Sequence, residues 1–137
     1  MADLTAIRDQ LKVRLETVSA FVAVFDTLPD RCPVPCGIVR LGSPAAVYHE
    51  AMGGQGLTKF NFEVLALAQR WEPNAGQDLL DGFISGSGSV EAAIRGDETL
   101  DGEASTSQVV LCTAVGNVQV ADSLFWGCQF QVEVYST

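Results

Sequence analysis

Basic residues and histidine are scarce in this 137-residue chain, and their scarcity excludes much. Eight lysines and arginines and one histidine, His49, stand against seventeen aspartates and glutamates, for a formal net charge of −9. No basic residue follows Arg95, whereas Asp97, Glu98, Asp101, Glu103, Asp122 and Glu133 all do. Tight nucleic-acid binding draws on cations that displace phosphate counterions, and this balance argues against it. Binding to an anionic membrane surface is disfavoured for the same reason. No run of ~18 apolar residues exists, so no transmembrane helix is expected. The N-terminal region is amphipathic and charged rather than an apolar leader, which makes a reducing cytoplasm the expected site of folding.

Catalytic signatures are missing too. A Ser–His or Cys–His mechanism would have to use His49, which lies beside Glu50 at the edge of a glycine-rich loop, and no Gly-x-Ser-x-Gly elbow presents a nucleophile. Gly53-Gly54-Gln55-Gly56 lacks the Lys-Ser/Thr pair of a phosphate-binding loop and leads into a strand pattern instead of a helix. The expectation is a protein that is not an enzyme and holds no cofactor.

Four cysteines are present. Cys32 and Cys36, in Arg31-Cys32-Pro33-Val34-Pro35-Cys36-Gly37, have the spacing of one zinc-ligand pair. Cys112 and Cys128 lie too far apart to make a second such pair, and both fall within strand patterns. They meet only if a hairpin tip lies near Val120, since a slip of one residue turns them apart. A redox motif would need Cys-x-x-Cys at a helix start. The favoured reading is four reduced thiols acting as small apolar side chains, with no metal site.

What remains is a regular pattern of amphipathic elements. Leu4, Ile7, Leu11, Leu15 and Val18 recur at helical spacing behind Asp3, a natural N-cap. Phe21–Phe25, Gly37–Leu41 and Pro44–Met52 read as short strands. Leu57–Trp71 reads as a long one, with Phe60, Phe62, Val64, Ala66 and Ala68 on one face and its second half apolar on both. Asn74 and Gln77 suggest a capping box before a helix whose stripe is Leu79, Leu80, Phe83 and Ile84. Val90, Ala93 and Ile94 mark a short helix ending at Gly96, where a left-handed cap is expected. Gln108–Val115 and Leu124–Tyr135 read as a hairpin. Residues 1–137 thus form a single α+β domain, a mainly antiparallel sheet with an N-terminal helix and central helices packed on it. Pro44–Leu57 and Gly96–Ser107 have few apolar anchors and are expected to become ordered against another subunit.

Several stretches carry a family resemblance. They are Leu4-Thr5-Ala6-Ile7-Arg8-Asp9-Gln10-Leu11, the Pro29-Asp30 turn, Phe60–Trp71, and Ala75-Gly76-Gln77-Asp78-Leu79-Leu80-Asp81. Gly86-Ser87-Gly88-Ser89-Val90 with Ala92-Ala93-Ile94, Thr99-Leu100-Asp101-Gly102, and Phe130-Gln131-Val132-Glu133-Val134 complete the set. Over nearly its whole length the chain resembles tail terminator proteins of long-tailed bacteriophages, of the type found in phages of actinobacteria. The cysteines depart from that pattern.

The resemblance implies a virion protein, assembled in the host cytoplasm, that forms a homo-oligomeric ring of six subunits. Such a ring caps the head-proximal end of the tail tube, stops its polymerisation, and offers its other face to a neck or head-completion protein. DNA would pass through the ring, and Asp97, Glu98, Asp101 and Glu103 would give it an acidic lumen that repels phosphate. The loop of His49, Met52, Gly53, Gly54, Gln55, Gly56 and Leu57 is the expected contact with a neighbouring subunit or the tube. A neck connector, or a small cytoplasmic metal-binding module, are the alternative readings.

Overall fold

The computed structural model describes residues 3–27, 33–48, 58–68, 73–120 and 123–136. Helix α1 (Leu4–Leu15) starts where Asp3 Oδ1 accepts the backbone N–H groups of Thr5 (3.0 Å) and Ala6 (3.4 Å), satisfying donors that the first turn leaves orphaned. Its apolar stripe, Ile7, Leu11 and Leu15, is fully buried, and Val18 continues it past the helix end.

Among the described residues five strands follow the rules of the pleat: β1 (Ala23–Phe25), β2 (Cys36–Val47), β3 (Thr58–Ala68), β4 (Thr106–Val120) and β5 (Ser123–Ser136). They form one sheet in the order β1-β2-β3-β5-β4, parallel between β1 and β2 and antiparallel elsewhere. β3 and β5 make its centre, paired from Thr58–Ser136 to Ala68–Trp126. Alternation divides their side chains. Phe62, Val64 and Ala66 with Cys128, Phe130, Val132 and Val134 form the main core, while Leu65 and Leu67 face the other way with Cys36, Ile38 and Val120. The alternation expected for the long strand, including its doubly apolar second half, is therefore present.

Helices α2 (Pro73–Ile84) and α3 (Val90–Arg95) join α1 on the main-core face, so the molecule is α+β as expected. Leu80 and Phe83 of α2 are buried, with the Phe83 ring 4.8 Å from that of Phe21. Ser89 Oγ caps α3 by accepting the N–H of Ala92 (3.1 Å), and Arg14 Nε ties α1 to α3 by donating to the Ala93 carbonyl (3.0 Å). A fully buried Leu, Ile or Phe contributes about 1.5–3 kcal/mol, whereas an exposed ion pair such as Arg40–Glu63 (2.7 Å) contributes about 1 kcal/mol at most. Packing holds this fold.

Several local expectations are corrected. Gly37–Leu41 and Pro44–Val47 are parts of one strand, β2, whose register to β3 shifts between Leu41 and Ala46. Proline has no ladder N–H to give, so the chain bulges around Pro44 instead of ending the strand, and Asn61 Nδ2 donates to its carbonyl (2.8 Å). Phe21 and Val22 lie before β1, which is only three residues long. α2 begins at Pro73, the helical position that tolerates proline best, so Asn74 is inside the helix and not its cap; Gln77 Nε2 donates to Asp81 Oδ1 (2.9 Å). Ile84 is exposed rather than part of the stripe.

Gly96 is right-handed (φ −62°), not a left-handed cap. Its missing side chain makes room instead: a Cβ there would collide with the Arg14 guanidinium. The left-handed turn comes later, at Leu100, Asp101 and Gly102 (φ 51°, 56° and 86°).

Candidate interaction surfaces

Among the described residues, strand β4 is an edge of the sheet. It pairs with β5 on one side and with no described strand on the other. Its sequence, Thr106-Ser107-Gln108-Val109-Val110-Leu111-Cys112-Thr113-Ala114-Val115-Gly116-Asn117-Val118-Gln119-Val120, contains no charged residue and no proline. Edge strands of self-contained proteins are commonly short or protected by lysine or proline, because their unpaired N–H and C=O groups template another strand. Here the register shifts between Val109 and Leu111, and again between Thr113 and Gly116. Each bulge inserts residues that have no partner on β5. Val110 and Val115 flank or occupy these bulges and are 44% and 51% exposed, with Leu111 and Leu124 close to them in exposure. The absence of charge along this stretch was visible in the sequence. Its position at an edge was not, because the order β3-β5-β4 depends on long-range pairing.

The acidic segment between α3 and β4, expected to have few apolar anchors and to become ordered against another subunit, is a built turn within the single chain. Leu100 is fully buried in the main core and Ala104 nearly so. Asp97 organises the turn: one carboxylate oxygen accepts the Thr99 hydroxyl (3.1 Å) and the other the Asp101 N–H (2.9 Å). Ser107 Oγ donates to the Glu98 carbonyl (2.8 Å), and the Ser105 N–H to that of Tyr135 (2.8 Å). Glu98, Asp101 and Glu103 project into solvent while Asp97 is half-buried. The structure thus brings the four acidic residues onto one fixed turn leading directly into β4. Pro44–Val47 likewise belongs to β2. The remainder of the expected contact loop, His49, Met52, Gly53, Gly54, Gln55, Gly56 and Leu57, lies outside the described residues.

Cys32 is also outside them. Cys112 and Cys128 are free thiols. Cys36 lies in the small cluster on one face of the sheet and Cys112 and Cys128 on the other, so these three cannot share one metal ion. No three His, Cys, Asp or Glu side chains converge on a metal position among the described residues. Cys112 pairs with Phe130 across the hairpin, which places it on the same face as Cys128, its diagonal neighbour on β5, and the two thiols hydrogen-bond. Burial pushes both thiols above the ordinary value of 9.0, Cys128 furthest because it is the more deeply buried and, second, because charge on Cys112 would oppose another there. Such thiols are poor nucleophiles near neutrality.

Among the described residues no helix is long and apolar enough to cross a membrane. Compared with models of known protein families and with curated proteins, the chain matches none.

Proposed function

We propose that this chain is a structural subunit that assembles side by side into a ring capping the head-proximal end of a phage tail tube. The observation that carries this reading is β4, an edge strand among the described residues: fifteen residues without charge or proline, bulged so that valines face outward. The opposite edge, β1, is only three residues long, so it cannot present a matching ladder. Reciprocal β4–β4 pairing closes a dimer, whereas a ring needs β4 to meet a different surface of the next subunit. In such a ring the acidic turn recurs at every junction. Glu98, Asp101 and Glu103 then repel DNA phosphates if they line the bore, letting DNA slide during ejection.

A cap stops a stack by binding the tube on one face and offering a surface that no further tube subunit matches on the other. That outer face is where a neck or head-completion protein docks. The test is co-sedimentation and negative-stain microscopy with tail tubes from the same source. Rings seated at one tube end that halt elongation support the reading. Association with portal-side proteins and not with tubes would assign the chain to the neck instead.

A further inference from the structure

The sheet face opposite the helices holds a cavity of about 340 Å³, floored by β3, β5 and β4 and walled on one side by the β2 bulge. Two features make it more than a surface dent. Asn61 lines it while being only 5% exposed, and its Oδ1 has no hydrogen-bond partner. The amide cannot turn that oxygen elsewhere, because its Nδ2 is committed to the Pro44 carbonyl at 2.8 Å. A buried acceptor without a donor is costly, so this oxygen awaits one. Second, Glu63 is the charged side chain in the lining among the described residues. Its Oε2 accepts from Arg40 Nε at 2.7 Å, and a carboxylate with about four lone-pair sites has capacity for more.

We infer that the cavity receives an arginine side chain presented by another protein. Asn61 and Glu63 are two residues apart on β3 and face the same way, so their Cα atoms stand ~6.5–7 Å apart. A guanidinium carries five N–H donors in a rigid planar fork and can donate to two neighbouring acceptors at once, whereas a lysine ammonium is a point donor. Gln129, Gln131 and Thr113 supply further acceptors around the rim. Leu111, half exposed on β4, offers an apolar flank for the arginine stem. The formal charge of −9 favours a cationic visitor over an anionic one. The inference does not rest on the ring reading, since the cavity is complete within one chain.

The experiment is a titration of the ¹⁵N-labelled protein with N-acetyl-arginine amide, following the side-chain amide signals of Asn61, Gln129 and Gln131. The expected result is a saturable shift of these signals, with half-saturation at ~1–10 mM, as befits a single anchor. The citrulline counterpart, isosteric but neutral, should produce no saturation. Glu63→Gln should weaken arginine binding about tenfold. Because that change also breaks the Arg40 pair, Thr113→Lys provides a second variant, filling the mouth with an ammonium group and abolishing the shift. Absence of any shift, equal responses to arginine and citrulline, or shifts confined to Asp97–Glu103 would overturn the proposal. So would concentration-dependent shifts of the same signals without added ligand, which would mean that a second copy of the chain fills the cavity.

Discussion

Replacing Leu100 by alanine removes the larger of the two side chains, Leu100 and Ala104, that plug the acidic turn into the core. Leu100 is fully buried and left-handed at φ 51°. Losing three carbons forfeits ~2.4 kcal/mol of transfer free energy at about 0.8 kcal/mol per methylene. Incomplete collapse of the cavity brings the expected loss to ~3–4 kcal/mol. Alanine still pays the ~1–2 kcal/mol that an L-residue pays for a left-handed backbone. Leu100→Gly loses one carbon more, ~0.8 kcal/mol, and adds an entropic cost of ~0.5–1 kcal/mol, but it escapes that penalty. The two variants should therefore be equally unstable to within about 1 kcal/mol, cancelling the usual advantage of alanine over glycine. Urea denaturation of both, with hydrogen exchange at the Asp101 amide, measures this. A loss below about 1 kcal/mol for Leu100→Ala, or a glycine variant clearly less stable than alanine, would refute the account of an anchored, strained turn.

Three further outcomes are expected. Gly127→Ala should cost about 1–3 kcal/mol or more in denaturant midpoint experiments, because its Cβ would come within 2.6 Å of the Ala66 carbonyl oxygen on β3; a neutral substitution would contradict the tight β3–β5 register. The raised Cys112 and Cys128 values predict full stability from these groups below about pH 9.0, then a decline as pH rises, since the unfolded thiols release their protons first. Cys128→Ala should flatten that alkaline decline; an unchanged slope would refute the assignment. Val115→Lys should suppress self-association measured by light scattering while leaving the far-ultraviolet circular dichroism unchanged, because a charge protects an exposed edge.

Much of the architecture was legible from local patterns because the forces there are local. The α1 stripe needs only helical spacing, and the alternation through Phe60, Phe62 and Val64 needs only the pleat. Leu65 and Leu67 signalled burial on both faces, and a second cluster does cover them. The errors arose where a residue has more than one physical use. Gly96 looked like a left-handed cap, but it serves a side chain arriving from α1. Pro44 looked like a strand start, yet a bulge absorbs it within β2. The turn at 100–102 looked solvated because acidic residues outnumber its anchors, Leu100 and Ala104. The edge status of β4 and the orphaned oxygen of Asn61 depend on which strands meet across the sheet, and no local pattern reports that.

The most direct test of the central claim is negative-stain microscopy of the purified protein, alone and mixed with elongating tail tubes from the same source. The account predicts closed rings or a cap at one tube end with elongation arrested, and loss of both in Val115→Lys. Tubes that elongate unchecked, with no density added at either end, would contradict it.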